Sequence, residues 1–337
     1  MALDVPAASS DADPRVEEAV ERRVGDRSPM AAEVAGAGPR DARRGSVTRI
    51  VTPTISVRKR LREIWLSREL LIYLVRTEIK VKYKNSVLGL VWSMIAPAMT
   101  LAIYFFVFSI LLDNKMPNFV IYLFAGLLLW NLFQLGVLTG TGVVVNNAGI
   151  VKKVSFPREI LALAAVGSAC VFFFFQAIVM VIFMVILRSA PDLAYLPLVV
   201  VALVAGVILA SGLAVLLSSV NVYLRDTQHL IEVILTAWFW ACPIVYSYQT
   251  VEAKLGPRGL TWVYLINPMT PLVLAFQRCL YNKPSYVLNG KVIPVLPQHG
   301  YLWYAVLVAG VLIAAVVLFL VSIAAFGRLE GNFAEEL

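Results

Sequence analysis

The sequence predicts an all-α integral membrane protein: six transmembrane helices, an N-terminal amphipathic interface helix, and short re-entrant helices before the last span. Three observations carry that expectation. Of the 337 residues, 60% are hydrophobic and 15% charged, where a soluble chain has about a quarter charged. Mean hydropathy is +0.79. The apolar residues are gathered into six runs of the roughly 17–25 residues that a helix needs to cross a bilayer. A net charge of +8 raises nucleic acid as a partner, but no stripe of Lys and Arg interleaved with aromatics lies on a soluble domain. The basic excess reads instead as charge flanking membrane spans, where it sets orientation and meets anionic headgroups.

Residues 1–56 are rich in Ala, Asp, Glu, Arg, Ser and Pro and lack aromatics. Such a segment buries too little apolar surface to offset its ordering entropy, so a disordered cytoplasmic tail is expected. It has no apolar core of the kind that marks a signal peptide. In residues 57–86, Leu61, Trp65, Ile72, Val75 and Ile79 fall roughly on one helical face, with Arg62, Arg68, Arg76, Lys80, Lys82 and Lys84 elsewhere. That many charges cannot span a bilayer, and a helix with an apolar face, a basic face and a Trp belongs in the interface. The transmembrane domain occupies the rest, 87–337.

The six spans are expected at about 87–112, 119–145, 158–187, 195–221, 229–248 and 302–326. The long connection 249–301 holds apolar runs broken by Pro268 and Pro271, too short to cross, and these read as short re-entrant or interfacial helices. Nine Lys and Arg in 57–86, three in 146–158, Arg225 and Arg328 lie on one side of this arrangement, against seven on the other. Both termini are therefore expected in the cytoplasm of a multi-pass plasma-membrane protein.

The spans also narrow the mechanism. Their central portions carry essentially no ionisable residue, which argues against an ion-coupled carrier. Asp113, Asp192 and Asp226 read as isolated, so nothing resembles the acid–base constellation of a membrane transferase. The one Gly-Lys pair, Gly290-Lys291, is followed by Val292, so there is no phosphate-binding P-loop. Cys170, Cys242 and Cys279 are scattered and suggest neither disulfide nor metal site, and His229 and His299 are too far apart to hold a metal. The chain itself is expected to bind no cofactor and to catalyse nothing.

Four stretches in order, "VKYKNSVLGLVWSMIAPAM" at 81–99, "VKKVSFPREI" at 151–160, "NVYLRD" at 221–226 and "INPMTPLV" at 266–273, resemble the marks of the ABC-2 exporter permeases. Within them the likeness is to the branch exporting lipid-linked polysaccharides: O-antigen, teichoic acid and mycobacterial galactan transporters. The Ala-, Arg- and Asp-rich style of the tail points towards galactan. The resemblance, covering about 57–337, implies a permease homodimer with two copies of a separate ATPase subunit, which binds the ATP and Mg. The cargo would be a polyprenyl-pyrophosphate-linked glycan, with membrane lipids as the other contact. Exporters of small molecules such as antibiotics or lipids, and a membrane-bound glycosyltransferase, are the alternatives.

The same resemblance implies roles for particular residues. The loop after the second span would be a coupling helix seated on the ATPase, through Ile150, Lys152, Lys153, Phe156, Pro157, Arg158 and Glu159. Arg225 and Asp226 would form a second contact, unless they pair with each other. The charges of the first loop are equally explained by the positive-inside rule, and in either case face the cytoplasm unburied. Phe156 before Pro157 reads as a break, with Pro157 restarting the third span. On the leading helix, Arg68, Arg76, Lys80, Lys82 and Lys84 would meet headgroups or the carrier pyrophosphate. A glycan path needs aromatics that stack on sugar C–H faces. Tyr104, Phe105 and Phe108, Trp130 and Phe133, and Trp238, Trp240, Tyr246 and Tyr248 are the candidates, although Trp and Tyr near span ends also serve as interfacial anchors. Pro97 and Pro243 bend the first and fifth spans, as a gate hinge or a static kink.

Overall fold

A computed structural model describes residues 56–84, 86, 91–111, 116–282, 285–288 and 291–337. Residues 1–55 of the expected tail lie outside this set, as do positions 85, 87–90, Asp113 and Lys115. The structure is mostly helical, at 81%.

The leading segment forms α1 (Val57–Leu66) and α2 (Arg68–Lys82), separated at Ser67. Next come α3 (Trp92–Phe105), which runs on as a π-helical turn to Leu111, α4 (Phe119–Asn146) and the single-turn α5 (Ala148–Val151). After α6 (Glu159–Ile186) and α7 (Leu196–Tyr223) comes α8 (Thr227–Trp240). The long connection holds α9 (Tyr248–Leu255), α10 (Thr261–Ile266) and α11 (Met269–Leu280). The chain closes with α12 (Tyr301–Leu329) and α13 (Phe333–Glu336).

Four segments are long and apolar enough to cross a membrane: Phe119–Asn146, Glu159–Ile186, Leu193–Tyr223 and Tyr301–Leu329, with the shorter apolar helix Met94–Phe108 beside them. This is a multi-pass membrane protein. The central helix is α4: 83% of its most apolar stretch is buried, against 28% for the last span. It packs lengthwise on α6 and α7, and α7 packs in turn on α12. Small residues permit these contacts, as expected where helices meet without a hydrophobic driving force between them. A Cβ added at Gly140 would come within 2.5 Å of the Ala214 Cβ, and one at Gly212 within 3.2 Å of the Phe319 backbone.

Two expectations are revised here. The chain is not purely helical, because Ser285–Leu288 (β1) and Lys291–Pro294 (β2) pair antiparallel, with Leu288 opposite Lys291 and Val287 opposite Val292. The Asn289-Gly290 pair between the strands is a hairpin signal that was available in the sequence. The fifth apolar run is also not one helix: α8 stops at Trp240, and the chain unwinds through Pro243 before α9 begins.

The unwound stretch is possible because its backbone is satisfied within the bundle. Carbonyl groups buried inside a helix bundle have no water to turn to. The Pro243 carbonyl accepts from Tyr122 Oη at 3.1 Å and from Gln277 Nε2 at 2.8 Å, while Tyr122 Oη also reaches the Tyr246 carbonyl at 2.9 Å. Asn267 Nδ2 donates to the Ala241 carbonyl at 3.1 Å, and its Oδ1 accepts from Trp238 Nε1 at 2.8 Å and the Met269 amide at 3.1 Å. Replacing Tyr122 by Phe should lower the stability of the detergent-solubilised protein by about 1–3 kcal/mol, the cost of a stranded buried polar group. Thermal unfolding measures it, and an unchanged transition would show that the break is held by Gln277 and Asn267 alone.

At the end of the bundle near α11, Arg278 Nη1 pairs with Asp192 Oδ2 at 3.2 Å, and its guanidinium lies 4.2 Å from the Tyr195 ring centre. Asp192 is therefore not isolated, as the sequence suggested. Its backbone amide donates to the Cys279 carbonyl at 2.8 Å, which fastens the α6–α7 connection to the end of α11.

Candidate functional site

The most charged end of the bundle gathers the chain ends of α4, α6, α7 and α12 with α1. The α4 helix ends where the side chain of Asn147 donates to the Val143 carbonyl at 2.8 Å. The following turn is anchored by buried Val151, while Ile150 and Val154 are 47% and 54% exposed and Lys152 and Lys153 project beside them. Phe156 packs half-buried against the core. The Pro157 and Arg158 carbonyls accept from the amides of Ile160 and Leu161, so α6 restarts at the Pro157 break that the sequence implies.

Glu159 departs from expectation. It was expected at an open face, yet it is fully buried, because Arg60 of α1 brings a guanidinium to its Oε1. The other arm of Arg60, Nη2, lies 2.8 Å from Glu330 Oε2, and Arg158 Nη1 donates to the Glu330 carbonyl at 3.2 Å. Burial opposes the charge on Arg60, but Glu159 and Glu330 outweigh it and hold the guanidinium pKa above its ordinary value. Phe333 is buried beneath this cluster, with Arg158 5.8 Å from its ring centre, and Tyr223 Oη donates to the Leu329 carbonyl at 2.6 Å. Arg158 and Glu159 thus brace the junction, and Ile150, Lys152, Lys153 and Val154 form its free tip.

Arg225 and Asp226 are exposed and form no ion pair with each other among the described residues. They rim a groove of about 690 Å³ with Leu224, Leu230 and Glu336. The turn is closed locally, by Thr227 Oγ1 donating to the Leu224 carbonyl and the Gln228 amide donating to Asn221 Oδ1.

The second leading helix, α2, runs beside α6. Val75 meets Gly167, where a Cβ would come within 2.7 Å, Glu78 accepts from Ser168 Oγ, and Lys82 Nζ sits 4.2 Å from the Phe172 ring centre. With 28 residues, α6 is about 42 Å long at 1.5 Å per residue, some 12 Å more than a hydrocarbon core of about 30 Å. The excess corresponds to about eight residues. Arg68, Arg76, Lys80, Lys82 and Lys84 are all exposed, with Trp65, Tyr73 and Val81 bare beside them.

The aromatic candidates do not form one surface. Trp130 packs on Phe133 and Phe239, and Phe133 on Trp238, with ring centres 5.2–5.7 Å apart. Trp130, Phe133 and Tyr248 are buried in the chain's own core, the first two against α8 and Tyr248 against Tyr264. Phe105 opens to a different, wholly apolar cleft with Phe183 and Leu187. Tyr104 and Phe108 stay half-buried and 6.2 Å apart, and Trp240 is exposed. Tyr246 Oη is bound to the Trp240 carbonyl and to Tyr264 Oη. Sequence reasoning missed Arg60, Glu330, Tyr122, Asn267 and Gln277. Only the two amides left a signal, as hydrogen-bonding side chains in or beside apolar runs. No group of metal-ligating side chains is present among the described residues.

Long apolar helices packed on a buried central helix define a multi-pass membrane protein with a braced, charged junction at one end. The chain belongs to the ABC-2 type transporter family, whose model matches residues 69–281. It is similar to the O-antigen export system permease protein RfbA of Klebsiella pneumoniae, 26% identical over 269 residues, covering 80% of this chain and 95% of that protein. The protein of the same name from Myxococcus xanthus is 29% identical over 222 residues, covering 66% of this chain and 84% of that one.

Breaking the Arg60 contacts tests the junction. Arg60→Leu leaves the Glu159 carboxylate buried and unpaired and should cost about 3–5 kcal/mol, read as an earlier thermal transition and faster proteolysis near Ser67. Adding Glu159→Leu should recover most of the loss. If Arg60→Leu alone melts like the parent, the ion pair carries no load.

Proposed function

We propose that this chain is the permease subunit of an ABC exporter that moves a polyprenyl-pyrophosphate-linked polysaccharide, with galactan as the candidate glycan, across the plasma membrane. Two copies would assemble with two ATPase subunits, which hold the ATP and Mg. The observation that carries the reading as a partner-driven permease is the free tip Ile150–Val154 mounted on the braced junction. A loop kept only for topology needs its charges but not this rigid seating. The cargo assignment rests on the likeness to two O-antigen export permeases along most of the chain.

In this reading residues 1–56 are a cytoplasmic tail, 57–86 the interface helix and 87–337 the transmembrane domain, with both termini cytoplasmic. Six crossings result if α3 is completed by its π-helical turn and α8 by the unwound stretch, while α10 and α11 re-enter from the outer side. Ile150, Lys152, Lys153 and Phe156 contact the ATPase directly, and Arg225 and Asp226 supply the rim of a second contact. Pro157, Arg158 and Glu159 hold that surface in shape. Arg68, Arg76, Lys80, Lys82 and Lys84 draw anionic headgroups to the entry side. Tyr104, Phe108, Trp238, Trp240 and Tyr246 are the aromatics left for the path, since Trp130 is buried with Phe133.

Depletion of the protein in its native host should make lipid-linked glycan accumulate inside the cell. Normal delivery to the surface after depletion would refute export of this cargo. Lys152→Glu with Lys153→Glu, or Phe156→Asp, should cut co-purification of the ATPase and export by about tenfold while membrane insertion is kept. If both survive these changes, the loop charges serve topology only.

A further inference from the structure

Polar side chains are scarce at membrane depth in this chain, and several of them converge at one place. Thr100, Tyr104, Trp130, Asn131, Gln134 and Thr236 rim an open groove of about 200 Å³ between α3, α4 and α8. Asn131 and Gln134 lie near the middle of the 28-residue α4 and, three residues apart, on one face of it. Each is held from one side. Asn131 Nδ2 donates to Gln176 Oε1 of α6 at 3.0 Å, and Gln134 Oε1 accepts from Trp130 Nε1 at 2.9 Å. Asn131 Oδ1 and Gln134 Nε2 are left without a protein partner among the described residues, one an acceptor and the other a donor. The hydroxyls of Thr100 and Thr236 donate backwards to the Ala96 and Glu232 carbonyls, at 3.1 and 2.9 Å, and keep their lone pairs available.

Lipid chains cannot satisfy an amide, and an intramembrane polar group without a partner is costly. The groove therefore faces something that both donates and accepts hydrogen bonds. No charged side chain lines it, so it offers nothing to a pyrophosphate. Resting on the export reading above, we infer that this groove is a subsite for the neutral sugar rings of the cargo. One donor and one acceptor on a single helical face match a sugar hydroxyl, which needs both. Tyr104, half-buried at the rim, presents a ring to an apolar C–H face. The absence of charge keeps any one ring weakly held, as a moving polymer requires. The polyprenyl-pyrophosphate end is bound elsewhere, where cations are present.

The test uses the full permease with its ATPase in the depleted native host, with cells fed radiolabelled glucose and surface glycan separated from intracellular lipid-linked glycan. Gln134→Met keeps the side-chain volume and removes the amide, and Asn131→Leu does the same at its position. The expected result is a roughly tenfold fall in surface label for the double variant. Membrane level, cross-linked dimer yield and ATPase co-purification should stay at parental values. Gln134→Asn, which keeps an amide, should restore part of the loss. Parental export by the double variant overturns the subsite while leaving export intact. Loss of dimer cross-linking overturns it in favour of a contact between permease copies. If Asn131→Leu fails to accumulate, Gln134→Met alone decides by the same readouts. Depletion that causes no accumulation of lipid-linked glycan defeats the export reading itself, a result separable from all of these.

Discussion

One guanidinium decides the shape of the charged end. Glu159 stands at the head of a 28-residue apolar helix and is fully buried, a position a carboxylate holds only if its charge is met. Arg60 meets it from a helix 99 residues earlier in the chain and, with its other arm, holds Glu330 at the end of the last span. Arg can do this where Lys cannot, because its planar fork presents donors in two directions at a fixed separation. The leading helix, the start of α6 and the end of α12 are thereby committed to one another. The aromatic cap of Phe333 and the Tyr223 hydrogen bond to Leu329 add α7 to the same joint.

A second constraint operates inside the bundle, where backbone without helix must find its partners in protein. The stretch around Pro243 meets it with three side chains from three elements: Tyr122 of α4, Gln277 of α11 and Asn267 just before it. This explains why α4 is so deeply buried. It carries the ring that captures the unwound carbonyls at one end and the amides of the polar groove in the middle. Its contact with Ala214 at Gly140 is too close for any side chain. At the far end, Asp192 and Arg278 close the bundle in the way that Glu159 and Arg60 do at the charged end.

The long spans were legible because hydropathy and length decide them, and so was the Pro157 restart, because proline restricts the residue before it. The run at 229–248 misled because its composition is apolar from Val233 to Val245 without interruption except Thr236 and Pro243. What splits it is Pro243 together with partners more than 20 residues away, which no local window contains. Arg60 was one of nine basic residues in the leading segment, and nothing in its neighbours sets it apart from Arg62. Its role is fixed by where Glu159 ends up, and that is a property of tertiary packing. The aromatics failed for a related reason. Helical spacing places Trp130 and Phe133 on one face, but only packing shows that Trp238 and Phe239 cover it.

The two constraints together define how a push at the free tip would travel. From Ala148 the route into the membrane is α4 itself, one continuous helix with no proline between Phe119 and Asn146. Asn131 lies about 17 residues from the tip, or roughly 25 Å at 1.5 Å per residue. A second route runs through Glu159 and Arg60 to the leading helices. In the export reading, a tip displacement would therefore reach the groove through α4 and the leading helix through Glu159 and Arg60. In that reading opening would fall to the neighbours of α4, where α3 with Pro97 and α8 with the break at Pro243 rim the groove beside it. The break at Pro243, held to α4 by Tyr122 and to α11 by Gln277, would then be the point at which movement of α4 bears on α8.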